Sequence, residues 1–491
     1  MNQTLAAPSV WTDSKRHLWW LGIMPLATPL LSGALAITTG IQQLWWVGVL
    51  VIFGLIPLID GLLGEDVSNP PESAVSHLES QSYYRWIVYT GVLFVISSVV
   101  ITGWLAAGGI EWIIQGGLLQ AAATLDPSSW LSHAASYITA RAQLHGEPSW
   151  FTYLGMAMST GAATGIAINT AHELGHKPNA LEVFLAKVTL APTFYGHFYT
   201  EHNRGHHVRV ATPEDPASSR LGESFWAFLP RSVWFSARSA WNLERERLRK
   251  LGLPAWHWQN GVLSAWMYSV VLWGAMIAWL GAAVIPFLII QGIYGFSLLE
   301  VVNYVEHYGL KRQKLPNGRY ERCSPRHSWN SNRIVTNIFL FQLQRHSDHH
   351  ANPTRSYQSL RHFDESPQLP YGYASMIVWA YVPYLWRRRM DHRVLNHYAG
   401  DITLTNLQPS QRLKYLEKYS GRKPQRKYAV KAYTPPSARS RAGSGIGGRD
   451  SADPDAGVGT AAESRVTPPA YDRSVRGGTQ EGPDAEASGP S

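Results

Sequence analysis

Six stretches of this chain stay apolar for close to the roughly 20 residues that a helix needs to cross a bilayer. They run from Leu18 to Ile37, Ile41 to Ile59, Trp86 to Ala107, Trp150 to Ala171, Val262 to Leu280, and Val284 to Tyr304. In lipid a lone segment satisfies its own backbone N–H and C=O groups only as a helix. The expected fold is therefore an all-α integral membrane protein with six transmembrane helices. The first two and last two stretches are joined by short turns and read as helical hairpins. The fourth contains "GMAMSTGAATGIAINTA", and small residues of this kind let helices approach closely in lipid.

Composition agrees once the average is set aside. Overall hydropathy is near neutral because polar loops and a polar tail dilute the apolar runs. The 21 Trp among 491 residues suit membrane interfaces, where Trp and Tyr concentrate. A net charge of +9 could mark a nucleic-acid binder, but no recognition motif accompanies it. Cytoplasmic loops rich in Lys and Arg account for the charge better. Lys15 and Arg16 should hold the N-terminus in the cytoplasm. Six spans then put the 61–85 loop, the 171–261 region and everything after Tyr304 on that side. The 108–149 loop, with Arg141 as its one basic residue, falls outside. Residues 1–17 read as a cytoplasmic segment before a retained anchor, not a signal peptide. Residues 18–434 read as the membrane domain with a cytoplasmic helical cap. Residues 435–491 are rich in Gly, Ser, Pro and Ala and are expected to be disordered. Of two shorter apolar stretches, Leu181 to Tyr199 reads as interfacial or re-entrant, and Gly372 to Trp386 as lying in the cytoplasmic interface, anchored by Arg387, Arg388 and Arg389. The lone Cys323 excludes an internal disulfide and any four-cysteine metal site.

The chemistry lies in nine histidines. His172 and His176 stand in "HELGH", His202, His206 and His207 in "HNRGHH", His307 in "NYVEHYG", and His346, His349 and His350 in "HSDHH". Helical spacing of three and four brings imidazoles to one face, where they can converge on a metal. All nine fall on the cytoplasmic side of the expected topology. Nine imidazoles exceed one metal's capacity, whereas two metals with four or five ligands each use them all. Imidazole suits iron, copper, zinc and nickel alike. A lipophilic substrate favours a redox metal, iron first and copper second. "HELGH" alone matches the HExxH zinc-protease signature, so an intramembrane zinc protease is an alternative. It needs three protein ligands and an open position, and it leaves seven clustered histidines unexplained. A membrane metal carrier, the non-enzymatic alternative, needs polar residues across the bilayer, and the first five stretches carry no charge.

The stretches "NTAHELGHK" (169–177), "YGHFYTEHNRGHH" (195–207), "NYVEHYGL" (303–310), "HSWNSN" (327–332) and "LQRHSDHHANPTRSYQSLR" (343–361) are similar to those of the bacterial membrane alkane 1-monooxygenases. These belong to the histidine-box desaturase and hydroxylase superfamily. The resemblance covers roughly residues 15–420. It implies a polyhistidine diiron site in the cytoplasmic cap, with the nine histidines as ligands. It also implies terminal hydroxylation of medium- to long-chain n-alkanes with O2, in the bacterial inner membrane. Electrons would come from rubredoxin and its reductase. The residues after Pro435 contain no cysteine, so rubredoxin is expected in trans. A fatty-acyl desaturase or a methyl-aromatic hydroxylase would share the same boxes.

Carboxylates near the boxes are candidates to orient ligating imidazoles. Glu173, Glu201, Glu306 and Asp348 sit beside histidines in sequence. Asp60 and Asp66 end the second span, and Glu300 shares a helix face with His307. Arg345, Arg355 and Arg361 could steady the third box or dock an acidic electron carrier. Ile52 lies eight residues before Asp60. At helical rise that is roughly 12 Å into the membrane, about a ten-carbon chain. Ile52 is therefore the candidate channel residue that limits substrate length.

Overall fold

The computed structural model describes residues 11–125 and 129–419. The expected disordered tail and residues 1–10 lie outside these. The described residues are helical, with only isolated β-bridges. Five helices are long and apolar enough to cross a membrane. Among the described residues these are α1 (Leu18–Thr39), α2 (Gln42–Leu63), α3 (Ser82–Ile114), α9 (Gly261–Leu280) and α10 (Ala282–His307). Each coincides with an expected span. Local signals set their ends. Gly40 closes α1 at φ +76°, the left-handed position that glycine takes without a Cβ clash. Asn260 opens α9 by accepting the N–H groups of Val262 and Leu263.

The remaining expected span is α5 (Trp150–Gly175), capped by Ser149, which accepts the Thr152 N–H. Its 26 residues measure roughly 39 Å at helical rise. It is less apolar than the other five because its neighbours are protein. A Cβ added at Gly165 would stand 2.8 Å from the Gly295 carbonyl oxygen, and one at Gly161 would stand 2.9 Å from that of Gln291. Small residues thus let α5 lie directly on α10.

The segments between spans are more ordered than their sequence suggests. The expected 108–149 loop contains α4 (Trp130–His145). Its Arg141 donates to the carbonyl of Thr38, one of the carbonyls left unpaired at the end of α1. The 181–199 stretch begins with α6 (Ala180–Leu190), which packs back on α5. Its two charges are absorbed locally. Glu182 accepts the Tyr89 hydroxyl at 2.9 Å, and Lys187 donates to Ser264 at 2.8 Å.

Beyond α5 comes the group of helices expected as the cap. It comprises a helical segment α7 at 198–209, α8 (Phe225–Lys250), α11 (Ile334–Phe339), α12 (His346–Ala351), α13 (Tyr373–Ala380) and α14 (Pro383–His397). The 372–386 stretch, expected in the membrane interface, packs one face inward and leaves Val378, Val382, Tyr384 and Leu385 exposed. Tyr373, Met376, Ile377, Ala380 and Trp386 share one core with Leu298, Val301, Val302 and Tyr304 of α10.

Asp60 fastens the cap to α2. Its carboxylate accepts the N–H of Val335 at 2.9 Å, the N–H of Thr336 at 3.0 Å and the Thr336 hydroxyl. These are first-turn donors of α11, so Asp60 caps that helix from outside. It is placed against α11 and away from the imidazoles, contrary to the orienting role that its sequence position suggested. Asp60→Ala is expected to lower stability by about 1–3 kcal/mol, the cost of orphaning buried hydrogen-bonding groups. A thermal melt should show this with metal content unchanged. Metal loss at an unchanged melting temperature would contradict it.

Candidate metal centre

Four elements bring the nine imidazoles together. The last turn of α5 carries His172 and His176, α7 carries His202, His206 and His207, the end of α10 carries His307, and α12 carries the third box. Seven of the nine are buried, and His176 and His207 are half-buried.

They form two sets. His172, His176, His202, His207 and His349 make one, and His206, His307, His346 and His350 make the other. Within each set the candidate ligand atoms lie within 4.8 Å of one another. Neighbours in sequence are split between sets, because consecutive helical residues point about 100° apart. His206 and His207 part company, as do His349 and His350. The second box uses a π-turn at His202–His206. Its i→i+5 pattern aligns residues five apart. His202 therefore meets His207, Nε2 to Nε2 at 3.0 Å, and not His206 at the i+4 position that a regular helix would favour.

The donor atoms fit cations. His172 and His349 approach Nε2 to Nε2 at 2.8 Å, His349 and His207 at 3.0 Å, His350 and His346 at 2.8 Å, and His206 and His350 at 3.2 Å. Burial, and then the neighbouring histidines, hold His176, His202, His207, His346, His349 and His350 far below the usual imidazole range. Neutral rings meeting through the same nitrogen can share only one proton per pair, and His176 Nε2 has no hydrogen-bond partner. A metal satisfies these lone pairs together. Imidazole–metal bonds of about 2.1 Å set at right angles put donor atoms about 3.0 Å apart.

The supporting carboxylates are not those nearest in sequence. Asp215, missed in the sequence, is the one that holds a ligand from behind, at 2.9 Å from His206 Nδ1. It also accepts the Ser218 hydroxyl at 2.6 Å. Burial pushes its carboxyl up, but His206 and Ser218 outweigh this and hold it at about 2. This is the carboxylate–histidine arrangement that fixes ring orientation and basicity in metal sites. Asp215→Ala is expected to lower metal affinity about 10–100-fold, as measured by competition with a chelator. Unchanged affinity would show that the contact does not support the ligand.

Glu306 is buried and reaches His346 differently. Its Oε2 lies 3.1 Å from Nε2, the same nitrogen that faces His350. It therefore stands on the metal side of the ring. Glu173 is turned away from the imidazoles and pairs with Lys177 at 3.0 Å. A general-base role for it in an HExxH protease has no geometric support. Asp348 is also turned away. It accepts from Arg355 at 3.0 Å, the Arg361 N–H at 2.8 Å and Asn352 at 2.7 Å. Glu201 pairs with Arg209, Asp66 with Lys15, and Glu300 accepts the Tyr195 hydroxyl. Arg345 is buried and donates to the carbonyls of Asp66, Ser68 and Leu360. Arg355 and Arg361 both pair with Glu72. All three arginines thus brace the third box against the 65–80 region.

A narrow apolar cavity of about 70 Å³ leads to the histidines. Ile52, Phe53 and Ile56 of α2, Ile166 of α5, Leu298 and Val302 of α10, and Ile377 of α13 line it. His172, His202, His346 and Glu306 close its inner end, with Asn169 and Asn303 beside them. Ile52 is buried there.

The fold and site define a class: an all-helical membrane protein with two polyhistidine metal-binding sets at the end of an apolar cavity. Among known proteins, the family model described as "Fatty acid desaturase" matches residues 148–380. "Alkane 1-monooxygenase 1" of Alcanivorax borkumensis is 43% identical over 83% of this chain and 92% of its own length. "Alkane 1-monooxygenase" of Acinetobacter baylyi is 41% identical over 83% and 91%. "Alkane 1-monooxygenase 2" of Pseudomonas aeruginosa is 45% identical over 72% and 84%. The chain belongs to the alkane 1-monooxygenase family.

Proposed function

We propose that this protein hydroxylates the terminal methyl of medium- to long-chain n-alkanes, giving 1-alkanols, with O2 and two non-haem irons. The observation that carries this reading is the apolar cavity ending on ligands of both sets, His172 and His202 on one side and His346 on the other. The relatives bearing the alkane 1-monooxygenase name support the substrate class. When bound, iron supplies the activation of O2 and the storage of electrons.

The chain supplies the rest. The five-histidine set holds one iron and the four-histidine set the other. Asp215 fixes His206. A terminal C–H bond is stronger than an internal one, so selectivity comes from position. The cavity walls present the chain end to the centre and keep the internal methylenes back. In this reading α5 is a sixth span and the site faces the cytoplasm from the bacterial inner membrane; the basic Lys15 and Arg16 before α1 support that orientation. Electrons arrive from rubredoxin in trans, kept reduced by its reductase.

The test is purified protein in lipid, given n-decane, rubredoxin, its reductase and NADH. The expected result is 1-decanol and about two irons per chain. Unsaturated products would favour the desaturase reading that the family model also suggests. Oxidation of a methylated arene with n-decane untouched would favour an aromatic-methyl hydroxylase.

A further inference from the structure

Hydroxylation needs protons as well as electrons. Its balance is RH + O2 + 2 e⁻ + 2 H⁺ → ROH + H2O, with the electrons drawn from a reduced one-electron carrier. The alkane cavity, apolar until its inner end, is a poor path for protons. Next to it lies a second cavity of about 10 Å³, room for about one water, where Tyr195, His197, Glu201, Ser236, Glu300 and Asn303 meet beside Phe198 and Ala217, with His202 and His206 in its wall. Asn303 and His202 line both cavities. On the outer side Glu201 accepts from Arg209 at 2.6 Å, and Arg209 donates to Ser239 at 2.7 Å. Arg209 and Ser239 in turn line an open groove beside Asp215 and the half-exposed Glu246. Polar side chains thus lie between the groove and the reaction cavity, Glu201 on the outer side of the second cavity and Asn303 on its inner side.

Two features of the second cavity ask for water and a mobile proton. His197 is 4% exposed and its Nε2 has no hydrogen-bond partner, and buried polar groups of this kind are ordinarily met by ordered water. Glu300 is 2% exposed in α10, two turns before His307. It accepts the Tyr195 hydroxyl at 2.6 Å, with Ser232 and Asn303 beside it. An ionisable residue placed there costs stability and marks function. Tyr195 is itself fixed, stacked on Phe296 with ring centroids 5.2 Å apart.

We propose that this second cavity is the proton-entry route of the oxygenase, with Glu300 relaying protons from internal water past Asn303 to the reaction cavity and Tyr195 positioning its carboxyl. The inference rests on the monooxygenase reading above.

The test uses full-length protein in lipid. Glu300→Gln keeps the shape and the acceptor for Tyr195 but cannot carry a proton. With iron content unchanged, it should slow alkanol formation about 10²-fold, the usual worth of a placed proton donor. It should also raise the solvent deuterium isotope effect and divert electrons to hydrogen peroxide, and Glu300→Asp should restore part of the rate. Wild-type rate, isotope effect and coupling in Glu300→Gln would overturn the proposal. So would loss of iron in both variants, which would make Glu300 structural. A second readout needs neither metal nor turnover. Hydroxyl radicals generated by radiolysis of water inside metal-free protein should oxidise Tyr195 and His197 but spare the equally buried Tyr304. Unmodified Tyr195 and His197 would also overturn the route. If the wild-type enzyme forms no alkanol at all, the failure belongs to the function reading and not to the route.

Discussion

His346→Ala should lose about one metal ion per chain and fall below a hundredth of the parent rate, exceeding the about 10–100-fold cost of losing a supporting hydrogen bond. His346 belongs to the set with four imidazoles, so only His206, His307 and His350 would remain. It also faces Glu306 at the inner end of the cavity. His176→Ala leaves four imidazoles in its own set and should cost less. Elemental analysis together with a product assay decides this. Full metal content and full turnover in His346→Ala would remove that residue from the centre.

The second large effect concerns chain length. Ile52 is 5% exposed and lines the cavity beside Phe53 and Ile56. Ile52→Trp fills the path along which an alkane must lie to present its end. Each methylene that no longer fits costs about 1–3 kcal/mol, or at least about tenfold in specificity. Longer alkanes should therefore lose turnover steeply while short ones keep it. Competition among n-alkanes of graded length would show the cut-off. The same product profile as the parent would mean that the indole does not obstruct the substrate path.

What was legible in the sequence followed from local repetition. The apolar runs marked α1, α2, α3, α9 and α10, because lipid leaves an isolated segment no other conformation. The nine histidines were legible as ligand candidates because box spacing is a helical property. Their division was not. A regular helix would pair His202 with His206, but the π-turn at His202–His206 hands His207 to the first set and His206 to the second. The carboxylates failed for a related reason. Glu173 and Asp348 adjoin ligands in sequence, yet one or two steps along a helix turn a side chain toward another face. There they meet Lys177 and Arg355. Asp215 reaches His206 through the turn at 210–218, which has no periodicity to announce it. Asp60 was legible as a charge at the end of a span, but its partners Val335 and Thr336 lie some 275 residues away. The core-facing side of α13 was not legible, because its short aromatic pattern does not say which of its faces meets protein.

The proposed reaction inserts an oxygen atom from O2 into the terminal C–H bond of an alkane. Turnover of n-decane under ¹⁸O2, with rubredoxin, its reductase and NADH, tests it most directly. Mass spectrometry should find 1-decanol carrying one ¹⁸O, with loss of both product and iron in His346→Ala. Secondary decanols, alcohol oxygen derived from water, or no alcohol from fully iron-loaded protein would contradict the account.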